Sequence, residues 1–229
     1  MQATISDRLK TGIFIKELKN RFLCEVEINS EPVVCYVPSS CHLSNFLDLN
    51  KKEVLLVPTT TPHSRTKYAL FAVPYKQSYI VLNTSMANRA IETRLESRAF
   101  SFLGKRKKVY REQTIAGYKC DFYIEDTDTI IEIKSLISTD AVASFPTVYS
   151  ERTVKQLRML KALLMKGKKV YYFIVSLHPY VKTVAIDSKS EFFSEIENCI
   201  ELGMILKAFT SRLKESGLMI EHQIPIKID

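Results

Sequence analysis

Apolar and polar positions alternate in short runs over the first third of the chain. Residues 13–18, 22–28, 33–37, 54–57, 68–73 and 79–82 each alternate or cluster apolar side chains, separated by Asn, Ser, Pro and Thr. Five or six strands at that spacing predict a small OB-like β-barrel. The period changes at Asn83. Asn83, Thr84 and Ser85 supply capping side chains, and Ala90, Ile91, Leu95 and Ala99 recur at helical spacing over 86–100. Strands are expected at 108–115, 118–125 and 129–134, the last two forming a hairpin about Asp126 and Thr127. After a loop at 138–146, Ser150 is placed to cap a helix over 151–166. Val154, Leu157, Leu160, Leu163 and Leu164 form its apolar face, and Gly167 suits its end. The apolar run 169–177 predicts a buried central strand, joined by a right-handed crossover. A helix over 190–202 and weaker strands at 205–209 and 218–226 follow. The fold class is α/β (mixed α+β): a barrel over 1–82, then an αβββαβ domain over 83–229 with a mixed central sheet.

The hairpin carries the candidate chemistry. A turn centred on Asp126-Thr127 sets Asp121 opposite Glu132, with Cβ atoms about 4.5–5.5 Å apart. Lys134 falls on the same face, while Phe122, Ile124, Ile131 and Ile133 point away. Opposed carboxylates repel, and a hard divalent cation reconciles them while keeping positions for water and phosphate. Such an ion activates water and neutralises charge on a phosphodiester. A solvated face on which Lys134 screens both acids satisfies the same pattern. Glu92, on the 86–100 helix, either reaches this patch or pairs on the surface with Arg89, Arg94 or Arg98.

Composition narrows the partner. Thirty-three Lys and Arg against 25 Asp and Glu give a formal net charge of +8, which favours an anionic partner. Lys105, Arg106, Lys107 and Lys108 beside the hairpin are candidate phosphate contacts. In the barrel, Arg21, Arg65 and Lys67 with Phe22, Tyr36 and Tyr68 offer a basic, stacking surface; solvated charges and core aromatics account for the same residues. Cys24, Cys35, Cys41, Cys120 and Cys199 include no C-x-x-C, so reduced thiols in a cytoplasmic protein are expected. His42, His63, His178 and His222 make no zinc spacing with them. Phosphate-binding glycine loops are absent, which disfavours nucleotide-fuelled chemistry. The start MQATISDRLK has no apolar h-region and no apolar run is long enough to span a bilayer, so no membrane partner is expected.

Helix, three strands, helix, strand, with Asp121 and then Glu132-Ile133-Lys134, resembles the PD-(D/E)XK nuclease core. More specifically, the whole chain resembles the sugar fermentation stimulation protein A family. RFLCEVEI, the Asn83-Thr84…Asn88…Glu92 helix, KCDFYIE, IIEIKSL and FPTVYSERTVKQLRML carry that resemblance. It implies a DNA or RNA nuclease with an OB-like domain before the nuclease core. Carried over, Asp121 and Glu132 are metal ligands, Lys134 is the catalytic lysine and Glu92 is the helix carboxylate, with the Ile133 carbonyl a further oxygen ligand for Mg²⁺ or Mn²⁺. Arg152 falls in the helix motif, and Lys155 and Gln156 join it as nucleic-acid contacts. The chain departs from the pattern at 37–43, where VPSSCHL stands for C-P-N-T-G-x-M, and at Thr147, Thr153 and Gln156, which replace Asp, Gly and His. The expected function is metal-dependent hydrolysis of nucleic acid. The alternative is a non-catalytic DNA-binding regulator of sugar (maltose) metabolism genes. Nucleic acid is the expected partner, and a homodimer is compatible with the pattern.

Overall fold

Gly12 marks how tightly the first sheet curls. A Cβ there would lie 2.5 Å from Val26 Cγ1 and 2.8 Å from the Glu27 carbonyl oxygen, so only glycine fits where the first two strands cross. The computed structural model describes residues 9–39, 42–60 and 63–229. Strands β1 (Lys10–Glu17), β2 (Leu23–Ile28), β3 (Glu31–Tyr36), β4 (Glu53–Pro58), β5 (Tyr68–Tyr75) and β6 (Ser78–Val81) pair in the order β3-β2-β1-β4-β5-β6. β3 returns to β5 through Tyr36 and Ala69, which closes a five-stranded barrel with β6 attached. The expected strands fall here with small shifts at their ends. Alternating side chains, among them Cys24, Val26 and Ile28, fill the interior.

Helix α1 (Met86–Leu95) buries Met86, Ala87, Ala90, Ile91 and Leu95. It stops five residues before the expected end, and the chain continues as 3₁₀ turns over Arg98–Leu103. Then come β7 (Val109–Arg111), the short hairpin β8 (Thr114–Ile115) and β9 (Tyr118–Lys119), β10 (Phe122–Ile124), β11 (Thr129–Leu136) and β12 (Val142–Ser144). The strands expected at 108–115 and 118–125 are therefore each broken. The first bends at Glu112, whose φ is 50°, and the second parts at Cys120-Asp121. Helix α2 (Glu151–Met165), β13 (Lys169–Ser176), β14 (Thr183–Ile186), α3 (Glu191–Glu201), β15 (Ile205–Lys214), β16 (Gly217–Ile224) and β17 (Ile226–Ile228) complete the chain. The Ser150 hydroxyl accepts from Thr153 N–H and caps α2, as its position predicts. Such a cap is worth about 1 kcal/mol.

The central sheet runs β16-β15-β13-β11-β10-β7, with β11, β13 and β15 parallel and the rest antiparallel. One face, including Phe122, Ile131, Ile133 and Phe173, joins α1 and the barrel interior in one continuous apolar cluster. The opposite face, including Ile130, Tyr172 and Ile174, packs under α2 and α3. A small parallel sheet, β12-β14-β17, lies within that second cluster through Ala143 and Val184. The barrel is also tied on by main-chain and side-chain bonds, Val81 N–H to the Leu177 carbonyl and Tyr75 Oη to the Thr139 carbonyl.

Candidate active site

β10 and β11 pair in the register the turn predicts: Phe122 with Ile131, Tyr123 with Ile130, Ile124 with Thr129. Main-chain pairing ends at Phe122, and the Asp121 side chain takes over. Its Oδ2 accepts from Ile133 N–H at 2.7 Å, and its Oδ1 accepts from Asn88 Nδ2 of α1 at 2.8 Å. The carboxylate is thus pinned between sheet and helix. Glu132, 4% exposed, accepts from Tyr118 Oη at 2.6 Å and from Lys134 Nζ at 2.8 Å. Lys134 also donates to Gln156 Oε1 of α2 at 2.6 Å. Because the α2 leucines face inward at three- and four-residue spacing, Arg152, Thr153 and Gln156 share the side turned to this cluster.

Electrostatics follow from burial and crowding. Desolvation, then the Glu132 charge, push the Asp121 carboxyl up to about 6, against the lowering by Ile133 N–H, Asn88 and Lys134. Burial and the adjacent Glu132 push the Tyr118 hydroxyl well up, so it stays protonated and donates. The Tyr172 hydroxyl, fully buried and within electrostatic reach of Glu132 and Asp121, has no hydrogen-bond partner among the described residues. Each carboxylate oxygen accepts one hydrogen bond and keeps a second lone pair. An all-oxygen donor set of this kind fits a hard cation such as Mg²⁺ or Mn²⁺ and not a zinc site.

The cluster lies at the floor of a cleft of about 830 Å³ between barrel and core. Lys134, Ile133, Asn88 and Gln156 line it from the core, Arg152 and Tyr149 from the start of α2, and Arg21, His42 and Phe46 from the barrel. Arg21 also lies over the Phe22 ring, 5.0 Å from its centroid.

Other expected site residues fall elsewhere. Glu92 pairs with Arg111 at 3.2 Å, and no group of three or more His, Cys, Asp and Glu converges among the described residues. Of the two placements expected for Glu92, the structure has the surface pair, with Arg111 as partner in place of Arg89, Arg94 or Arg98. The 105–108 run sits at the turn end of the hairpin, outside the cleft. Lys105 pairs with Asp126 at 3.1 Å and Lys108 with Glu125 at 2.8 Å. Arg106 is spent on the main chain, donating to the carbonyls of Leu95, Gly104 and Ser97, where α1 and the following turns end. These are the contacts Lys105, Arg106 and Lys108 make here, and Lys107 is exposed on the same loop. Arg65 and Lys67 are exposed, and Lys155 faces Glu151 at 4.0 Å; none of the three lines the cleft. Of the altered 37–43 stretch, Ser40 and Cys41 lie outside the described residues, and the other four cysteines are buried free thiols. No described helix is long and apolar enough to cross a membrane.

Asn88 and Tyr118, which hold the two carboxylates, were not among the residues expected here. Asn88 sits four positions before Glu92 on one helix face, a spacing that points both toward the same margin of the sheet. Nothing in the local pattern marks Tyr118.

A closed OB barrel followed by a mixed-sheet domain, with two carboxylates and a lysine beneath the cleft between them, defines a two-part α/β protein. The chain belongs to the sugar fermentation stimulation protein family. Residues 18–82 match the SfsA N-terminal OB domain, and residues 85–217 match the sugar fermentation stimulation protein RE domain. A sugar fermentation stimulation protein homolog of Desulfitobacterium hafniense (strain DSM 10664 / DCB-2) is 25% identical over 225 residues, 96% of each chain. One from Clostridium kluyveri is 29% identical over 152 residues, 65% of this chain and 66% of that one. The solved structure of Pyrococcus furiosus SfsA in complex with Ca²⁺ shares the fold, with a TM-score of 0.84 at 18% identity and 99% of each chain covered.

Proposed function

We propose that the protein is a divalent-metal-dependent nuclease that hydrolyses phosphodiester bonds of DNA or RNA. The observation that carries this reading is the convergence of Asp121 and Glu132, beneath a cleft lined by cations, with Lys134 on its floor. Asp121 and Glu132 would hold Mg²⁺ or Mn²⁺, with the Ile133 carbonyl a further oxygen ligand; Ca²⁺ in the Pyrococcus relative is a cation of the same hard, oxygen-seeking class. The ion would supply charge neutralisation and an acidified water. The chain's own residues do the rest. Asn88 and Ile133 N–H fix the Asp121 carboxylate, Tyr118 fixes Glu132, and Gln156 holds Lys134 where its ammonium meets a phosphate entering from the cleft. Arg152 and Arg21 bind flanking backbone.

The test is cleavage of end-labelled DNA and RNA with Mg²⁺ or Mn²⁺, for wild type, Glu132→Ala and Lys134→Ala. Metal-dependent cleavage that both substitutions abolish is expected. Binding without cleavage in either metal, unchanged by the substitutions, would overturn the nuclease and leave a regulator that only binds DNA. Glu132's near-complete burial, with both oxygens already hydrogen-bonded, is the observation on that second side.

A further inference from the structure

We infer that the strand held in this cleft is unpaired: the site takes single-stranded nucleic acid, or an end that has opened, in preference to an intact duplex. The inference rests on the nuclease reading for its ligand class and adds the strand state, which comes from shape and lining.

Depth is the first observation. Asp121 and Glu132 do not reach the cleft surface, and the Lys134 side chain above them is only 21% exposed. A phosphate must descend to the floor to meet that ammonium. The cleft measures about 830 Å³. The barrel side, with Arg21 and Phe46, and the opposite side, with Tyr149 and Arg152, flank the floor.

The lining is the second observation. Among the described residues it holds Arg21, Lys134 and Arg152 and no Asp or Glu, so the cleft complements a polyanion. Tyr149 is 57% exposed, and Phe46 on the facing wall is half-buried. An exposed ring beside cations is what an unstacked base requires, and a paired duplex keeps its base faces hidden. Such stacking tolerates any sequence, so the preference is for strand state and not for base identity.

Binding in EDTA tests this without cleavage. Anisotropy of labelled dT12, rU12 and a 12-base-pair DNA duplex would be measured with the full chain. At least one single strand binding tenfold or more tighter than the duplex is expected, and the two sugars separate DNA from RNA. Tyr149→Ala, Phe46→Ala and Arg21→Glu should each weaken single-strand binding about fivefold or more. Lys214→Glu, an equal charge change on an exposed residue outside the cleft, should move it less than twofold. Circular dichroism identifies any variant that misfolds, and the exposed positions Arg21 and Tyr149 keep the test decisive if Phe46→Ala does. Duplex binding as tight as single-strand binding, or no loss in the folded variants, overturns the inference. Because EDTA removes metal-dependent hydrolysis, a protein that never cuts can still pass. One that cuts duplex without strand preference fails this inference and leaves the nuclease standing.

Discussion

Replacing Asp121 with Asn should stabilise the metal-free protein at neutral pH and leave it nearly unchanged in acid. The carboxyl sits at about 6 in the folded chain against 3.8 for an ordinary aspartate, raised first by burial and then by Glu132. Between those two values the folded chain holds a proton that the unfolded chain has released. Stability therefore falls as pH rises through the window and levels off above about 6. The drop is the shift multiplied by 1.36 kcal/mol per unit, or roughly 3 kcal/mol. Asn can still accept from Ile133 N–H, and Asn88 can turn its amide to present oxygen, so the variant keeps the geometry and loses the charge. Other carboxylates titrate in the opposite sense: Asp126 and Asp128 are held below their ordinary range by lysines and neighbouring donors. The informative quantity is thus the difference between wild type and variant. Urea unfolding in EDTA, followed by far-UV circular dichroism because the chain has no Trp, gives it at pH 5.0, 6.0 and 7.5. The variant should gain on wild type by about 1.4 kcal/mol across that range, the rest of the roughly 3 kcal/mol drop lying below pH 5.0. Adding Mg²⁺ at pH 7.5 should reverse the order, since saturating a site at 1,000 times its Kd adds about 4.1 kcal/mol to wild type alone. An advantage that is absent at pH 7.5, or that shrinks as pH rises, would refute the assigned environment of Asp121.

Four further outcomes follow from the same contacts. Lys134→Ala should lower the rate of any cleavage by about 10²–10⁴-fold while leaving Mg²⁺ stabilisation in place, as measured by single-turnover kinetics and thermal shift. Tyr118→Phe should remove a charge-assisted bond to buried Glu132 and cost about 1.5–3 kcal/mol in urea unfolding. Arg106→Ala should cost about 1–2 kcal/mol by orphaning carbonyls at the end of α1, with no change in nucleic-acid affinity or its salt slope. Ser150→Ala should cost about 1 kcal/mol through loss of the α2 cap, read in the same unfolding assay.

What the sequence made legible was local. The β10–β11 register followed from one short turn, because a hairpin fixes its own pairing within a few residues, and α2 followed from its cap and its inward leucines. The break at Cys120-Asp121 was not legible: apolar alternation continues through it, and only the contacts with Ile133 N–H and Asn88 show why pairing stops. β12 and β14 were missed because three- and four-residue parallel strands draw their partners from distant parts of the chain. The surroundings of the basic run at 105–108 were hidden for a related reason. Charge is visible in a sequence, but its local neutralisation by Asp126 and Glu125 and the use of Arg106 as a carbonyl cap appear only in three dimensions.

The apolar cluster that runs unbroken from the barrel interior to the central sheet has a mechanical consequence. Two lobes that share one core resist hinge opening, because opening would expose apolar surface that the cluster buries. On the proposed nuclease reading, a strand would then enter and leave the cleft with little help from lobe opening. Severing the barrel would strip one side of the remaining sheet bare, so the two parts should melt together in a single calorimetric transition.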